Sequence, residues 1–439
     1  MAFVVFAEFD DMQYRGVPHR DATPEARPVG RIRLIALLAI VVAAVVAAVT
    51  FSMRPAEIRL PSVVTPRDSQ RAREAFELKY GRPPDRLDIL SWLAEWYLTQ
   101  KHPNEAVACF AEIPTNHPVY GHMARLQQGR TLFRLHQVTE AERQLKELIA
   151  AEEASPQIEP EFLINARQQL RHILEVELRF EERHQLLKGV IDRGEDIAFE
   201  AVAGCFPTML RWNGPDAIQW HAQFLAADPD NVWVRISHGR YLTGQGKADE
   251  ACPILEAVVA EQPTNLRAIS ALVAALREAG DVDRADQLVL ALPPRSKDDP
   301  WTLLVQRGYV AVQNGNLEEA RKAFEQLQQS DTTSTEGWQG IALVARLQND
   351  IPRQTQANQM VTSLGRIQNY LGKTTQDAGN PNSFLDVADL CAEFQLIREG
   401  AVMARFAQRL APDDDRVQTT VKAFRERLMA SQLPALLGP

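Results

Sequence analysis

Four cysteines, nine histidines and the glycine-lysine pair at Gly246 and Lys247 are the residues of this chain best suited to chemistry beyond packing. Cys109, Cys205, Cys252 and Cys391 stand far apart, none within metal-ligand spacing of another. Each falls at or next to an apolar position of helical spacing, which predicts a small buried residue. His117 and His122 are the closest histidines, but Pro118 lies between them, so they do not share a helix face. The run GRYLTGQGKA, Gly239 to Ala248, has the look of a phosphate loop. Ala248 stands where a hydroxyl would bind the metal, and no glycine lies five residues before Gly246. The chain has no HExxH, GxSxG or GxGxxG. No catalytic residue, metal, cofactor or small-molecule substrate is expected.

Charge narrows the partners. The net charge is −9, and residues 1–33 balance to zero, so the acidic excess belongs to the rest of the chain. Binding phosphates needs a concentrated basic surface, which argues against nucleic acid. The densest basic stretch, residues 165–193, carries Arg167, Arg171, Arg179, Arg183, Lys188 and Arg193. Glu175, Glu177, Glu181, Glu182 and Asp192 are interleaved with them, which predicts a solvated helix face laced with ion pairs.

The elements that would position any site are repeated. In WTLLVQRGYVAVQNGNLEEARKAFEQL, Trp301 to Leu327, Leu304, Gly308 and Ala311 precede a polar turn at Asn314, Gly315 and Asn316. Leu317, Ala320, Phe324 and Leu327 follow at helical spacing. That is a helical hairpin whose glycine and alanine sit where two backbones approach. The template recurs at Leu90, Leu93, Ala94, Tyr97, Ala106, Phe110 and Pro118, and at Gly239, Leu242, Gly246, Ala251, Leu255 and Pro263. Ile269, Leu272, Leu276, Gly280, Ala285 and Leu292 repeat it, and Trp338, Ile341, Ala342 and Ala345 open another copy. Weaker copies run through Gly129, Leu132, Ala141 and Leu145; through Leu170, Leu174, Leu186 and Val190; through Cys205, Ala217, Phe224 and Pro229; and through Leu385, Ala388, Gly400, Ala404, Ala407 and Pro412.

These copies resemble the tetratricopeptide repeat, whose period is ~34 residues. The resemblance implies an all-α fold, a right-handed α-solenoid of about nine hairpins over residues 87–414, each burying its apolar face against its neighbours. A capping helix and tail, residues 415–439, would close it, with Val421, Phe424 and Leu428 facing inward. Gly365 to Pro381, rich in Gly, Thr, Asn and Gln, reads as a lengthened loop.

Residues 1–33 read as a flexible cytoplasmic tail. Leu34 to Met53 carries no charge. Its length suits a transmembrane helix, which needs ~20 apolar residues. A cleaved signal peptide is the competing reading, although its apolar run is usually ~7–15 residues. Residues 54–86 would hold a proline-containing spacer and a first helix. Arg27, Arg31 and Arg33 before the apolar run, against Arg54 and Arg59 after it, place the amino terminus in the cytoplasm and the solenoid on the outer, periplasmic side.

In this family the first helix of each hairpin lines the concave side of the superhelix, so the resemblance implies a protein or peptide ligand in that groove. Relatives that clamp a chaperone's terminal carboxylate use a lysine and an asparagine on successive first helices. The matching positions here hold Ser91 and Glu95, Ile236 and Arg240, Ser270 and Ala274, Val305 and Tyr309, and Gln339 and Leu343, so that clamp is missing. Trp233, Ile236, Arg240, Tyr309, Gln339 and Leu343 are the groove candidates; aromatics and arginine anchor protein interfaces. Similar membrane-anchored repeat proteins of lipopolysaccharide assembly end in a rubredoxin-like module with two CxxC pairs, whereas no cysteine follows Pro412 here. The expected role is a membrane-anchored, non-catalytic scaffold of a cell-envelope complex. The alternatives are a secretion or transport accessory factor binding unfolded clients, and an enzyme whose site is assembled from distant residues.

Overall fold

A computed structural model of the chain describes residues 60–117, 120–154, 160–194, 198–207 and 217–430. Among the described residues there are twenty helices and no strand. A lead-in helix α1 (Pro66–Tyr80) precedes the hairpin α2 (Arg86–Thr99) with α3 (Pro103–Ala111), then α4 (Gly121–Arg134) with α5 (Val138–Ala154), and α6 (Pro160–Val176). Next come α7 (Phe180–Arg193), α8 (Ala198–Cys205) and α9 (Ala217–Ala227). Regular pairing resumes with α10 (Val232–Gly244) and α11 (Ala248–Glu261), α12 (Leu266–Glu278) and α13 (Val282–Leu290), and α14 (Trp301–Gln313) and α15 (Leu317–Ser330). The last pairs are α16 (Thr335–Leu347) with α17 (Ile351–Gln376) and α18 (Pro381–Glu393) with α19 (Ile397–Leu410), closed by α20 (Asp415–Ala430). The predicted transmembrane run and the tail before it lie outside the described residues.

One local device sets the repeat. Eight first helices end in a residue with left-handed backbone: Lys101, His136, Leu178, Gly246, Gly280, Gly315, Asn349 and Gln395. In each turn the next N–H donates to the carbonyl five residues back, from His102 to Tyr97, Gln137 to Leu132, and so on to Leu396 and Cys391, at 2.8–2.9 Å. This is the six-to-one closure that satisfies an orphan carbonyl at a helix end. Starts are fixed as consistently: the side chains of Asp85, Asn231, Asn265, Asn316 and Ser334 each accept a backbone N–H from the first turn they precede.

Small residues then let the hairpins stack. Phe324 of α15 is fully buried between Gly308 of α14 and Gly340 of α16, and a Cβ on either glycine would overlap its ring. Successive first helices adjoin: α4 and α6, then α10, α12, α14 and α16 in turn. The last four form a continuous wall.

The middle of the chain departs from this order. Phe224 of α9 is buried in one core with Leu132, Leu145, Leu170 and Val234, against the rings of Phe133 and His136. Cys205, only some twenty residues before it, sits instead in a core with Leu364, Phe384 and Phe406. The sequence copy through Cys205 and Phe224 is therefore not a hairpin; α8 and α9 belong to different cores. Helix α7 leaves a regular turn at Leu178 and packs through Phe180 against Trp301 and Leu304 of α14 and Leu327 of α15.

Two further expectations are corrected. Gly365 to Pro381 is no loop as far as Gln376, because α17 runs through Gly365 and Gly372 for 26 residues. Leu364, Ile367 and Leu371 share one face and are at most 1% exposed, and that burial outweighs the ~1 kcal/mol each interior glycine costs. The basic stretch carries the expected ion pairs, and Lys188, Asp192 and Arg193 are exposed, but it is not a solvated face throughout. Arg167 and Arg171 of α6, Arg179 between the two helices and Arg183 of α7 are all buried. In α20 Val421, Phe424 and Leu428 are buried.

Candidate protein-binding wall

The six groove candidates fall on three first helices, and the structure gives them different surroundings. Ile236 of α10 is 2% exposed and packs in the core of α10 to α14. Trp233, three residues earlier, is half-buried, with the guanidiniums of Arg179 and Arg267 at 4.6 and 5.5 Å from its ring. Arg240 donates to the carbonyl of Leu178 at 3.0 Å and lies 5.3 Å from the ring of Phe180. On α14, Tyr309 is half-buried edge-on to Phe324 at 5.3 Å, and burial with nearby Glu336 raises its phenol pKa. Gln339 of α16 is exposed and Leu343 half-buried.

The wall thus has two parts. Trp233 and Arg240 meet the first turn of α7, which sequence reasoning did not place there. Glu181 of α7 accepts the backbone N–H of Trp301 at 2.9 Å, and its other oxygen lies 3.8 Å from Arg267. Pro300 precedes α14 and offers no capping side chain, so the carboxylate that meets this helix end arrives from 120 residues away in sequence. A cleft of about 420 Å³ opens beside Phe180 and Arg240, bounded by Tyr241, Ser270, Ala274 and Thr302. A more polar cavity of about 710 Å³ lies on the other side, at Glu181, Glu182, Lys188, Arg267 and Lys297. The available signal was Phe180 followed by two glutamates at the start of a helix, read as surface charge.

Arg179 anchors this turn. Its guanidinium, 4% exposed at the side chain, reaches Glu177 at 2.5 Å, Glu142 at 2.8 Å and Glu182 at 2.5 Å. Asn231, which caps α10, also donates to Glu177 at 3.2 Å. Burial pushes the Glu177 carboxyl up to about 7 and Glu142 adds to that, against the pull of Arg179 and Asn231.

Residues 242–307, which run from the end of α10 into α14, match the tetratricopeptide repeat. That stretch carries the tetratricopeptide repeat. A tetratricopeptide repeat protein from Parabacteroides merdae is 13% identical and covers 59% of this chain and 98% of its own, with a TM-score of 0.30. The pilF protein of Pseudomonas aeruginosa is 15% identical, covers 56% of this chain and 99% of its own, and has a TM-score of 0.28. The human IFIT1 dimer with m7Gppp-AAAA is 13% identical over 85% of this chain and 88% of its own, with a TM-score of 0.35. No curated protein matches the chain.

The thiols of this chain are set in packing surroundings. Cys109, Cys205 and Cys391 are buried and Cys252 is half-buried. Burial pushes the Cys109 thiol up to about 12 and raises Cys391 and Cys252 as well, the opposite of the shift that makes a thiolate nucleophile. Among the described residues no group of three or more His, Cys, Asp or Glu side chains is arranged to hold a metal.

Proposed function

We propose that this chain is a non-catalytic scaffold that holds a segment of a partner protein along the wall of its first helices, and that residues 34–53 anchor it in a membrane with the repeats on the outer side. The observation that supports it is the strip on adjoining helices α14 and α16, where Tyr309 and Leu343 stay half-buried and Gln339 exposed. Aromatic and apolar groups left part-exposed on a rigid, pre-formed surface are the kind that carry binding energy between proteins. The anchor reading rests on the uncharged run in the sequence. Among the described residues no helix is long and apolar enough to cross a membrane. An anchor would raise the scaffold's effective concentration near membrane-bound partners.

The test uses full-length protein solubilised from membranes in detergent. In the Tyr309→Ala/Leu343→Ala variant, recovery of a stoichiometric partner is expected to fall about tenfold or more, equivalent to about 1.4 kcal/mol of binding. The melting transition should stay within a few degrees of wild type, since neither side chain is fully buried. Arg240 is the poorer probe because it also holds α7. Unchanged recovery by a folded variant removes the strip from the binding surface, and a broad set of weak, mutually competing clients would favour the secretion-accessory role.

A further inference from the structure

The wall of α10, α12 and α14 already holds a helix from its own chain, and the contacts show what it recognises. The ring of Phe180 lies against the guanidinium of Arg240 at 5.3 Å. The next residue, Glu181, places one carboxylate oxygen on the Trp301 N–H and the other near Arg267. Glu182 then pairs with Arg179. The wall therefore offers a cation for a ring and, about one residue further along, a helix amino end flanked by a second cation for a carboxylate. We propose that this wall recognises the first turn of a helix that begins aromatic-acidic, that α7 is its tethered occupant, and that a partner protein carrying the same pattern takes the place of α7. The inference rests on the wall being a protein-binding surface and names the kind of partner.

Three features of the resident turn make it exchangeable. It enters from Leu178, a branched residue with φ of 50°, a conformation costly for any side chain with a Cβ. The clefts of about 420 and 710 Å³ flank Phe180 and Glu181, so an incoming segment can reach both sockets. The core that holds Leu170 and Leu174 of α6 also contains Phe224 of α9, and α7 adds to it only the partly buried Leu186, so most of that core is kept when α7 moves. A tethered ligand competes at millimolar effective concentration, which makes a free segment of the same sequence bind weakly until the tethered copy is impaired.

The experiment is a trans-binding measurement on the full chain, read by fluorescence anisotropy of a labelled peptide copying residues 177–194. The Phe180→Ala/Glu181→Lys variant is expected to bind it at least tenfold more tightly than wild type does. The same peptide carrying both changes should not bind, and adding Arg240→Ala to the variant should abolish capture. A variant with native helix content that fails to bind, or binds the altered peptide equally, overturns the proposal. If the variant does not fold, hydrogen exchange on wild type decides. Excess peptide should speed exchange in α7 and α8 and leave α10 to α14 unchanged; protected α7 and α8 under saturating peptide overturn it. Because the Tyr309 and Leu343 strip is not in this assay, failure here leaves the scaffold reading to its own test.

Discussion

Replacing Phe324 by alanine is expected to destabilise the protein by about 3–5 kcal/mol, read as a lower urea midpoint with the slope unchanged. The ring is fully buried and fills the space that Gly308 and Gly340 leave between α14, α15 and α16. Three helices lose contacts at once, and the backbones cannot close the gap because each hairpin is fixed by its own turn. The converse change should be as damaging. Gly340→Ala puts a Cβ into the ring, with Gly308 directly behind to block its retreat. In a Phe324→Leu background Gly340→Ala is expected to cost less than it does alone, giving a coupling of about 0.5–3 kcal/mol in a double-mutant cycle. Additive effects would show that the ring and the glycines do not share one site.

Arg179→Met should lose a comparable amount, about 3–5 kcal/mol at pH 8, because it strips the cation from buried Glu177 and leaves Glu142 and Glu182 facing it. The loss should shrink at pH 5. Glu177 ionises near 7 in the folded chain against an ordinary value of 4.5, so as pH rises the unfolded chain releases this proton first. Its contribution to stability is therefore fully present below about 4.5 and is lost as pH rises through about 7, a change of order 3 kcal/mol. Without Arg179 the carboxyl rises further and the pH dependence steepens. Glu177→Gln removes it, and the Arg179→Met/Glu177→Gln pair should recover much of the loss at pH 8. Chemical denaturation at the two pH values measures all of this; an Arg179→Met penalty equal at both would contradict the buried network.

Much of the fold is written locally. Gly246, Gly280 and Gly315 mark three turns and the small residues mark the stacking, so the hairpins around Trp301 to Leu327 follow from spacing alone. The turn at Leu178 obeys the same hydrogen bonding without a glycine, and no local signal distinguishes it. What periodicity could not show is the path after that turn. A helix with alternating charges reads identically whether it faces water or a wall of guanidiniums and helix ends 50 to 120 residues away. For the same reason Trp233 and Arg240 were legible as wall residues while their occupant was not. Residues 365–376 were misread because glycine and threonine content signals a loop, whereas the burial of Ile367 and Leu371 depends on α8, a tertiary neighbour.

The two halves of the wall then suit different tasks. Around α10 and α12 it is held by the chain's own acidic turn. Around α14 and α16 it keeps part-exposed aromatic and apolar groups on rigid helices, where a partner segment would begin to dock.

The most direct measurement is site-specific photo-cross-linking in intact cells, with benzoylphenylalanine replacing Gln339 on the wall or Lys322 on the exposed face of α15. The scaffold account predicts a discrete protein adduct from position 339 that Tyr309→Ala/Leu343→Ala diminishes, and none from position 322. Equal adducts from both positions, or adducts from 322 alone, would contradict it.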